Sequence, residues 1–488
     1  MRIQTKTNPA AVETADAVVF FLHAEHEASA LGAPFRGLNT EEFSGKHSQL
    51  CVVHTQGKLA APRALLVGLG PRKECSLPKL RRAVVAATKR LREIGVVRPA
   101  FDAGAAERAG VIAEAVVAAH YDFDEFKPSK APPKTKFARA TIHVSPGEVR
   151  DAGAAVERGR IIGETVNWTK AIANQPANVI YPAELARRAM GLARELRGRL
   201  SCRVLDRRAL ERGGFGGLLA VGGGSAREPR LIALEYRGGN ASQKPFALVG
   251  KAITFDSGGI CIKPGDKMEE MKWDKCGGCA VLGIMRAAAL LRLPVNLLGV
   301  VAAAENMPSA TSYRPGDIVT TRSGKTIEVI NTDAEGRVIL SDALAYACER
   351  KPEAIVDFAT LTGACVVALG HNIGGLMGND PALRQRILRA SEATGERVWE
   401  LPLEDEFREM VKSDFATVKN SAGRYGATLT GAAFLQAFVT EGVPWAHLDI
   451  AGPAWVSDTK PHHEKGATAF GVRLMIEMLG RVSRQVSR

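Results

Sequence analysis

Phe246-Ala247-Leu248-Val249-Gly250-Lys251, followed by Thr254-Phe255-Asp256-Ser257-Gly258-Gly259, is the stretch from which the fold is read. A short apolar run bounded by glycine has the length of a buried strand rather than a helix, and Lys251 closes it. The glycine-rich turn that follows is where open α/β sheets place ligand-binding groups, at the carboxyl end of a strand. Strand-like runs recur at 295–302, 355–358 and 447–450, with helical patterns between them, among them 280–291 and 340–348. Such alternation predicts a sheet covered by helices on both faces.

Toward the N-terminus the same alternation appears on a smaller scale. Strands are expected at 17–22, 50–55, 64–68 and 140–144, and helices at 77–94 and 103–120. Three prolines in Lys127-Pro128-Ser129-Lys130-Ala131-Pro132-Pro133-Lys134 remove donors and fix φ, so this segment reads as a loop. A long helix over 148–170, broken by Asn174-Gln175-Pro176-Ala177-Asn178, would connect the two parts. The fold class is therefore α/β: a small N-terminal α/β domain over 1–147, a connecting helix over 148–170, and a larger C-terminal α/β domain over 171–488 with a mixed central sheet covered by helices.

Composition sets the class of protein. Of 488 residues, 46% are hydrophobic and 24% charged, enough apolar material to bury two cores in a soluble globular protein. Eight scattered cysteines are too few for a disulfide scaffold in a chain of this length, which points to a reducing, cytoplasmic setting. The apolar run at 17–22 is too short for a signal peptide or a membrane span, so no membrane partner is expected. The net charge of +13 leaves an acidic partner such as nucleic acid open. Aromatics make up only 6%, which gives little material for base stacking, and a solvated basic surface is the plainer reading.

The densest ionisable cluster is Lys251, Asp256 and Lys263, then Asp274, then Asp333-Ala334-Glu335-Gly336-Arg337. The last group follows a strand-like run at 326–330 and precedes a helix, so acids from separate loops can converge at the carboxyl ends of strands. Four carboxylates in one pocket cannot all stay ionised without countercharge, because burying one unpaired carboxylate already costs several kcal/mol. Two divalent cations about 3.5 to 4 Å apart would resolve the conflict, with Asp256 and Glu335 as candidates to bridge them. Taken singly, each acid reads as readily as a loop or helix cap.

Asn331-Thr332-Asp333-Ala334-Glu335-Gly336-Arg337 matches the signature octapeptide of the leucyl aminopeptidases, the M17 or cytosol aminopeptidase family of metallopeptidases, except that its final Leu is Val338. The resemblance extends through Val249-Gly250-Lys251, Thr254 to Gly259, Ile262-Lys263-Pro264, Met268 to Asp274, Glu305-Asn306-Met307-Pro308, Tyr313-Arg314-Pro315-Gly316-Asp317, Ala359 to Ala364 and His447 to Gly452. It covers nearly all of 165–480, and is weaker before that. It implies that residues 171–488 are a catalytic metallopeptidase domain and that the N-terminal domain serves oligomerisation or regulation.

The resemblance further implies a dinuclear zinc or manganese site. Asp256 and Glu335 would bridge, Asp333 would complete one metal, and Lys251 with Asp274 the other. Lys251 would have to be neutral, since an ammonium cannot bind a cation. A hydroxide bridging the metals would attack the first peptide carbonyl while the substrate's α-amine binds the metal held by Lys251. Lys263 would stay protonated and donate to the developing oxyanion. Arg337 would hold a bicarbonate that relays a proton to the leaving amine. Met271, Thr360, Gly363 and Ala451 match positions that shape a pocket for an apolar first side chain, leucine above all. A homohexamer acting on peptides is implied as well.

Several features carry other readings. Cys276-Gly277-Gly278-Cys279 suggests a zinc ribbon or a redox pair, but no second Cys-x-x-Cys exists and a helix starts there, so small-residue packing is favoured. Gly214-Phe215-Gly216-Gly217 and Gly222-Gly223-Gly224-Ser225 lack the Gly-Lys-Ser/Thr of a phosphate loop. Ser257 and His371 do not form a triad without an elbow motif. The rivals are a nucleic-acid-binding protein on an aminopeptidase fold, also conceivable as a second role, and a dimetal phosphoesterase, whose usual histidine ligands are missing near these acids.

Overall fold

The computed structural model describes residues 1–26, 28–32, 34–36, 38, 41–127 and 134–486. The chain forms two units, Met1–Asn167 with Asp458–Glu464, and Trp168–Ser457 with Lys465–Arg488. Residues 458–464, expected in the C-terminal domain, group with the first unit, where Lys89 pairs with Glu464 at 2.8 Å and donates to the Lys460 carbonyl at 3.2 Å.

In the first unit, strands β1 (Arg2–Lys6), β2 (Ala17–Leu22), β3 (Leu50–His54), β4 (Arg63–Gly68), β5 (Pro99–Gly104) and β6 (Arg139–Val144) form one sheet in the order β1-β6-β5-β2-β4-β3. All neighbours are parallel except β3 and β4. Helix α1 (Leu77–Glu93) begins where Ser76 accepts the Lys79 N–H and Pro78 presets the first turn. It packs with α2 (Ala106–Ala118) over a core that includes Val19, Leu65, Leu80, Leu91, Phe101, Ile112 and Ile142. Residues 128–133 of the proline-rich segment lie outside the described residues. Helix α3 (Val149–Ala173) then carries the chain across the 167/168 division.

The second unit is built on an eight-stranded mixed sheet. In chain order its strands are β7 (Leu200–Leu205), β8 (Arg230–Arg237), β9 (Phe246–Asp256), β10 (Asn296–Asn306), β13 (Ala354–Ala359), β14 (Gly374–Gly378), β15 (Val398–Glu400) and β17 (Trp445–Asp449). Their spatial order is β15-β14-β17-β13-β9-β10-β8-β7, with β17, β13, β9 and β10 mutually parallel at the centre. Strands β11 (Ile318–Thr320), β12 (Thr326–Glu328) and β16 (Val418–Lys419) make a small separate sheet. The helices are α4 (Pro182–Glu195), α5 (Arg207–Arg212), α6 (Gly216–Gly222), α7 (Cys276–Leu291), α8 (Glu335–Cys348), α9 (Gly363–Leu369), α10 (Pro381–Thr394), α11 (Asp405–Met410), α12 (Ala427–Gln436) and α13 (Val472–Val486). Ala247, Val249, Val300 and Ala302 of β9 and β10 join Val338, Ile339, Leu344 and Phe434 of α8 and α12 in one core. Alternate residues of the same strands face α7, where Gly278 lies against Ala252 and Val301.

One strand is longer than its apolar run suggested. β9 does not stop at Lys251 but continues to Asp256, because Ala252, Ile253 and Thr254 are buried and the pairing with β10 persists to Asn306 opposite Asp256. Lys251 is thus an interior strand residue, 2% exposed. Among the described residues no helix is long and apolar enough to cross a membrane.

Candidate metal centre

The carboxyl ends of β9 and β10 and the start of α8 meet at one point. Asp256, Asp333 and Glu335 each offer a carboxylate oxygen there, all within 4.8 Å of one another. Asp256 is the last residue of β9, and its Oδ1 accepts the Gly258 N–H (2.9 Å) and the Asn306 amide (2.8 Å). Asn306, at the end of β10, also donates to the Thr332 carbonyl (3.0 Å), which further accepts the Tyr313 hydroxyl (2.8 Å). The Thr332 hydroxyl donates to the Gly258 carbonyl (2.6 Å) and accepts the Cys261 N–H (2.8 Å). These bonds join the 257–261 and 331–333 loops and so bring Asp256 and Asp333 together. Glu335 opens α8, which favours a negative charge at that end.

Two lysines sit among the acids. Lys251 Nζ lies 2.9 Å from Asp274 Oδ1 and 2.8 Å from Glu335 Oε1, and donates to the Thr360 carbonyl at 2.8 Å. Lys263 Nζ contacts Asp256 Oδ2 at 2.8 Å and also Asp333 Oδ1. Asp274 is held by the Thr360 hydroxyl, 2.6 Å from its Oδ1. Four carboxyl groups thus face two ammonium groups, and negative charge is in excess. Burial, with Asp256 adding repulsion, pushes Glu335 up to about 8 despite Lys251. Burial likewise raises Asp274 to about 6, against the pull of Lys251. Lys251 and Lys263 are both held above the ordinary lysine range: burial opposes this, but the surrounding carboxylates outweigh it.

This donor set fits divalent cations. Asp274 Oδ2 and Glu335 Oε2 are buried and accept no hydrogen bond, so each keeps a lone pair directed into a polar interior. Oxygen-rich ligands with surplus negative charge suit hard or borderline divalent ions. Arg337, two residues into α8, is buried; its Nη1 donates to the Asn420 carbonyl (2.8 Å) while Nε has no partner, and burial lowers it to about 10. A guanidinium with a bare N–H beside the acids can bind a small anion.

Of the proposed pocket residues, Thr360 is 5% exposed, with both polar atoms turned on Lys251 and Asp274. Met271 is half-buried and its carbonyl accepts the Asp274 N–H at 3.3 Å. Gly363 is exposed at the start of α9, and Ala451 is buried with its N–H on Asp449 Oδ1 at 3.1 Å. Asn306, Tyr313, Thr332 and Asn420 carry no role in the sequence reading; the first three lie within the family motifs, but nothing in their spacing shows what they bond. Ser257 donates to the Asn306 carbonyl at 2.8 Å and His371 is exposed, so they do not pair.

The Cys276-Gly277-Gly278-Cys279 stretch is a close contact of backbones. A Cβ on Gly277 would lie 2.1 Å from the Phe358 carbonyl, and Gly278 Cα is 2.6 Å from where a Cβ on Gly250 would stand. Both thiols are buried and raised, Cys279 to about 11, unlike reactive thiolates. Glycine also lets α8 approach Lys251: a Cβ on Gly336 would stand 2.6 Å from Lys251 Cε and 2.7 Å from Nζ. Gly336→Ala should therefore displace the amine and lower activity by about tenfold or more with the fold intact. The check is ions per chain by elemental analysis beside far-UV circular dichroism; full occupancy with wild-type turnover would show that the contact yields.

Comparison with known proteins agrees with this geometry. The profile for "Cytosol aminopeptidase family, catalytic domain" matches residues 167–476, and that for "Cytosol aminopeptidase family, N-terminal domain" matches 27–130. A probable cytosol aminopeptidase of Syntrophotalea carbinolica is 47% identical over 92% of this chain and 91% of its own length. One from Cenarchaeum symbiosum is 45% identical over 96% and 97%. Among solved structures, the bottromycin maturation enzyme BotP in complex with Mn superposes with a TM-score of 0.86 at 35% identity, covering 96% of this chain and all of that one. The chain belongs to the cytosol aminopeptidase family of metal-dependent aminopeptidases.

Proposed function

We propose that the protein removes N-terminal residues, leucine and other apolar residues first, from peptides at a site holding two zinc or manganese ions. The convergence of Asp256, Asp333 and Glu335 within 4.8 Å, with Lys251 and Asp274 adjoining, carries this reading. Asp256 and Glu335 would bridge the ions, Asp333 would complete one, and Lys251 with Asp274 the other. When bound, the ions supply an activated water and a Lewis acid for the scissile carbonyl.

The chain's own groups do the rest. Lys263 is 22% exposed, so its ammonium can turn from Asp256 toward a substrate oxygen as charge develops there. Arg337 would hold a bicarbonate as proton carrier, since among the described residues no imidazole contacts these four carboxylates. Met271, bonded through its carbonyl to the Asp274 N–H, and Ala451, whose N–H meets Asp449, supply apolar surface for the first side chain. A homohexamer in the cytoplasm is the assembly and setting carried over from the family.

A free α-amine is the feature such a site must recognise. Chelation should abolish release of leucine from a leucyl peptide, and about two divalent ions per chain should restore it. The N-acetylated peptide should stay intact under the same conditions. Equal turnover of both peptides would remove the role given to the ion beside Lys251.

A further inference from the structure

Asp449, the last residue of β17, is fully buried and its carboxylate is occupied by the loop between β13 and α9. Its Oδ1 accepts the N–H groups of Leu361 (3.2 Å) and Ala451 (3.1 Å), and its Oδ2 accepts the Thr362 hydroxyl (2.6 Å). Thr362 Oγ1 is also 2.9 Å from the Thr428 hydroxyl. Two residues earlier, Thr360 directs its carbonyl to Lys251 and its hydroxyl to Asp274. Two residues of a three-residue loop are therefore fixed by Asp449, and the third fixes the two side chains assigned to one ion.

Burying a carboxylate so deeply demands compensation beyond hydrogen bonds. His447 precedes Asp449 by two residues on the same face of β17, and its Nδ1 lies 2.5 Å from Asp357 Oδ1 on β13. Trp445 Nε1 donates to the other Asp357 oxygen at 2.7 Å. Burial alone would lower His447, but the Asp357 carboxylate and, further off, Asp449 outweigh it and raise the ring above the ordinary histidine range. Arg337 also feels the charge of Asp449. Asp357, His447, Asp449 and Arg337 are thus buried acidic and basic groups that act on one another, and the aminopeptidase reading gives no role to the first three.

We propose that Asp449 is a positioning residue that acts through the 360–362 loop to set Lys251 and Asp274 for one of the two ions. This rests on the two-metal peptidase reading. Support around ligands of this kind typically changes metal affinity by about 10- to 100-fold.

Asp449→Asn keeps the size and one acceptor oxygen but not the charge. With Mn²⁺ titrated calorimetrically into the metal-free full-length protein, the variant should bind one ion as wild type does and the other about tenfold or more weakly. Its kcat/KM on a leucyl peptide should fall in step. Thr362→Val, which removes the hydroxyl's bonds to Asp449, Thr428 and the Cys365 N–H but touches none of the assigned ligands, should act in the same direction by less, and Thr362→Ser should restore wild-type binding. A role in stability alone would lower the unfolding temperature of the metal-free protein without separating the two affinities, and that result overturns the proposal. So does wild-type affinity for both ions in Asp449→Asn, or in Thr362→Val should the first variant fail to fold. Fewer than two ions on the wild-type chain would instead defeat the two-metal reading itself.

Discussion

Lys251→Arg should cost the protein one of the two ions proposed for it and nearly all of its activity. A lysine amine can offer a lone pair to a divalent ion once its proton leaves, whereas guanidinium is effectively never deprotonated and has no lone pair to give. The site also lacks room for a larger head group: Lys251 is 2% exposed, and even a methyl on Gly336 would crowd its Cε and Nζ. The surrounding carboxylates hold the Lys251 proton firmly when no ion is present. Ion binding must then expel that proton, so affinity should weaken as pH falls, by about tenfold per unit for one proton released. Lys251→Met, unbranched and uncharged, removes the competing cation and should keep more affinity than the Arg variant. The measurement is ion content by elemental analysis, with activity, for both variants across pH 6 to 9, about one unit either side of neutrality and beyond. Two ions at wild-type affinity in the Arg variant would place Lys251 outside the coordination shell.

How far the sequence reveals such a site depends on which forces hold it. Strands β2, β10, β13 and β17 stand out because a buried strand must present apolar side chains on both faces, and that need is written locally. Asp333, Glu335 and Arg337 stand out because so polar a stretch follows a strand and opens a helix. What is not local is the support. Asn306 bonds Asp256 across 50 residues, Thr360 meets Lys251 across 109, and Asp357 meets His447 across 90. Lys251, Asn306, Asp357 and His447, each met singly in an apolar run, look like interruptions of the strand rather than halves of pairs. β9 extends past its apolar run for a related reason: a lysine reads as the end of a buried strand until its carboxylate partners are known. Asp274 and Glu335, the groups that allow Lys251 to continue inward, are 23 and 84 residues further on.

Lys263→Ala should lower kcat roughly 10²- to 10³-fold while leaving both ions in place, the scale expected for loss of one preorganised donor to a developing oxyanion. Lys263 differs from Lys251 in ways that separate donor from ligand. Its side chain is 22% exposed where that of Lys251 is 3%, so it borders the space a substrate enters. It contacts Asp256 and Asp333, whereas Lys251 contacts Asp274 and Glu335. Those carboxylates keep the Lys263 ammonium protonated through the neutral range, so it can give a hydrogen bond but not accept a proton. An interaction that strengthens only as the carbonyl oxygen becomes anionic affects kcat and kcat/KM alike and leaves substrate affinity nearly unchanged. Steady-state kinetics of the fully loaded variant on a leucyl peptide, with ion content determined on the same sample, makes the distinction. Loss of an ion from Lys263→Ala would show that neutralising Asp256 and Asp333, rather than stabilising the oxyanion, is the work of this side chain.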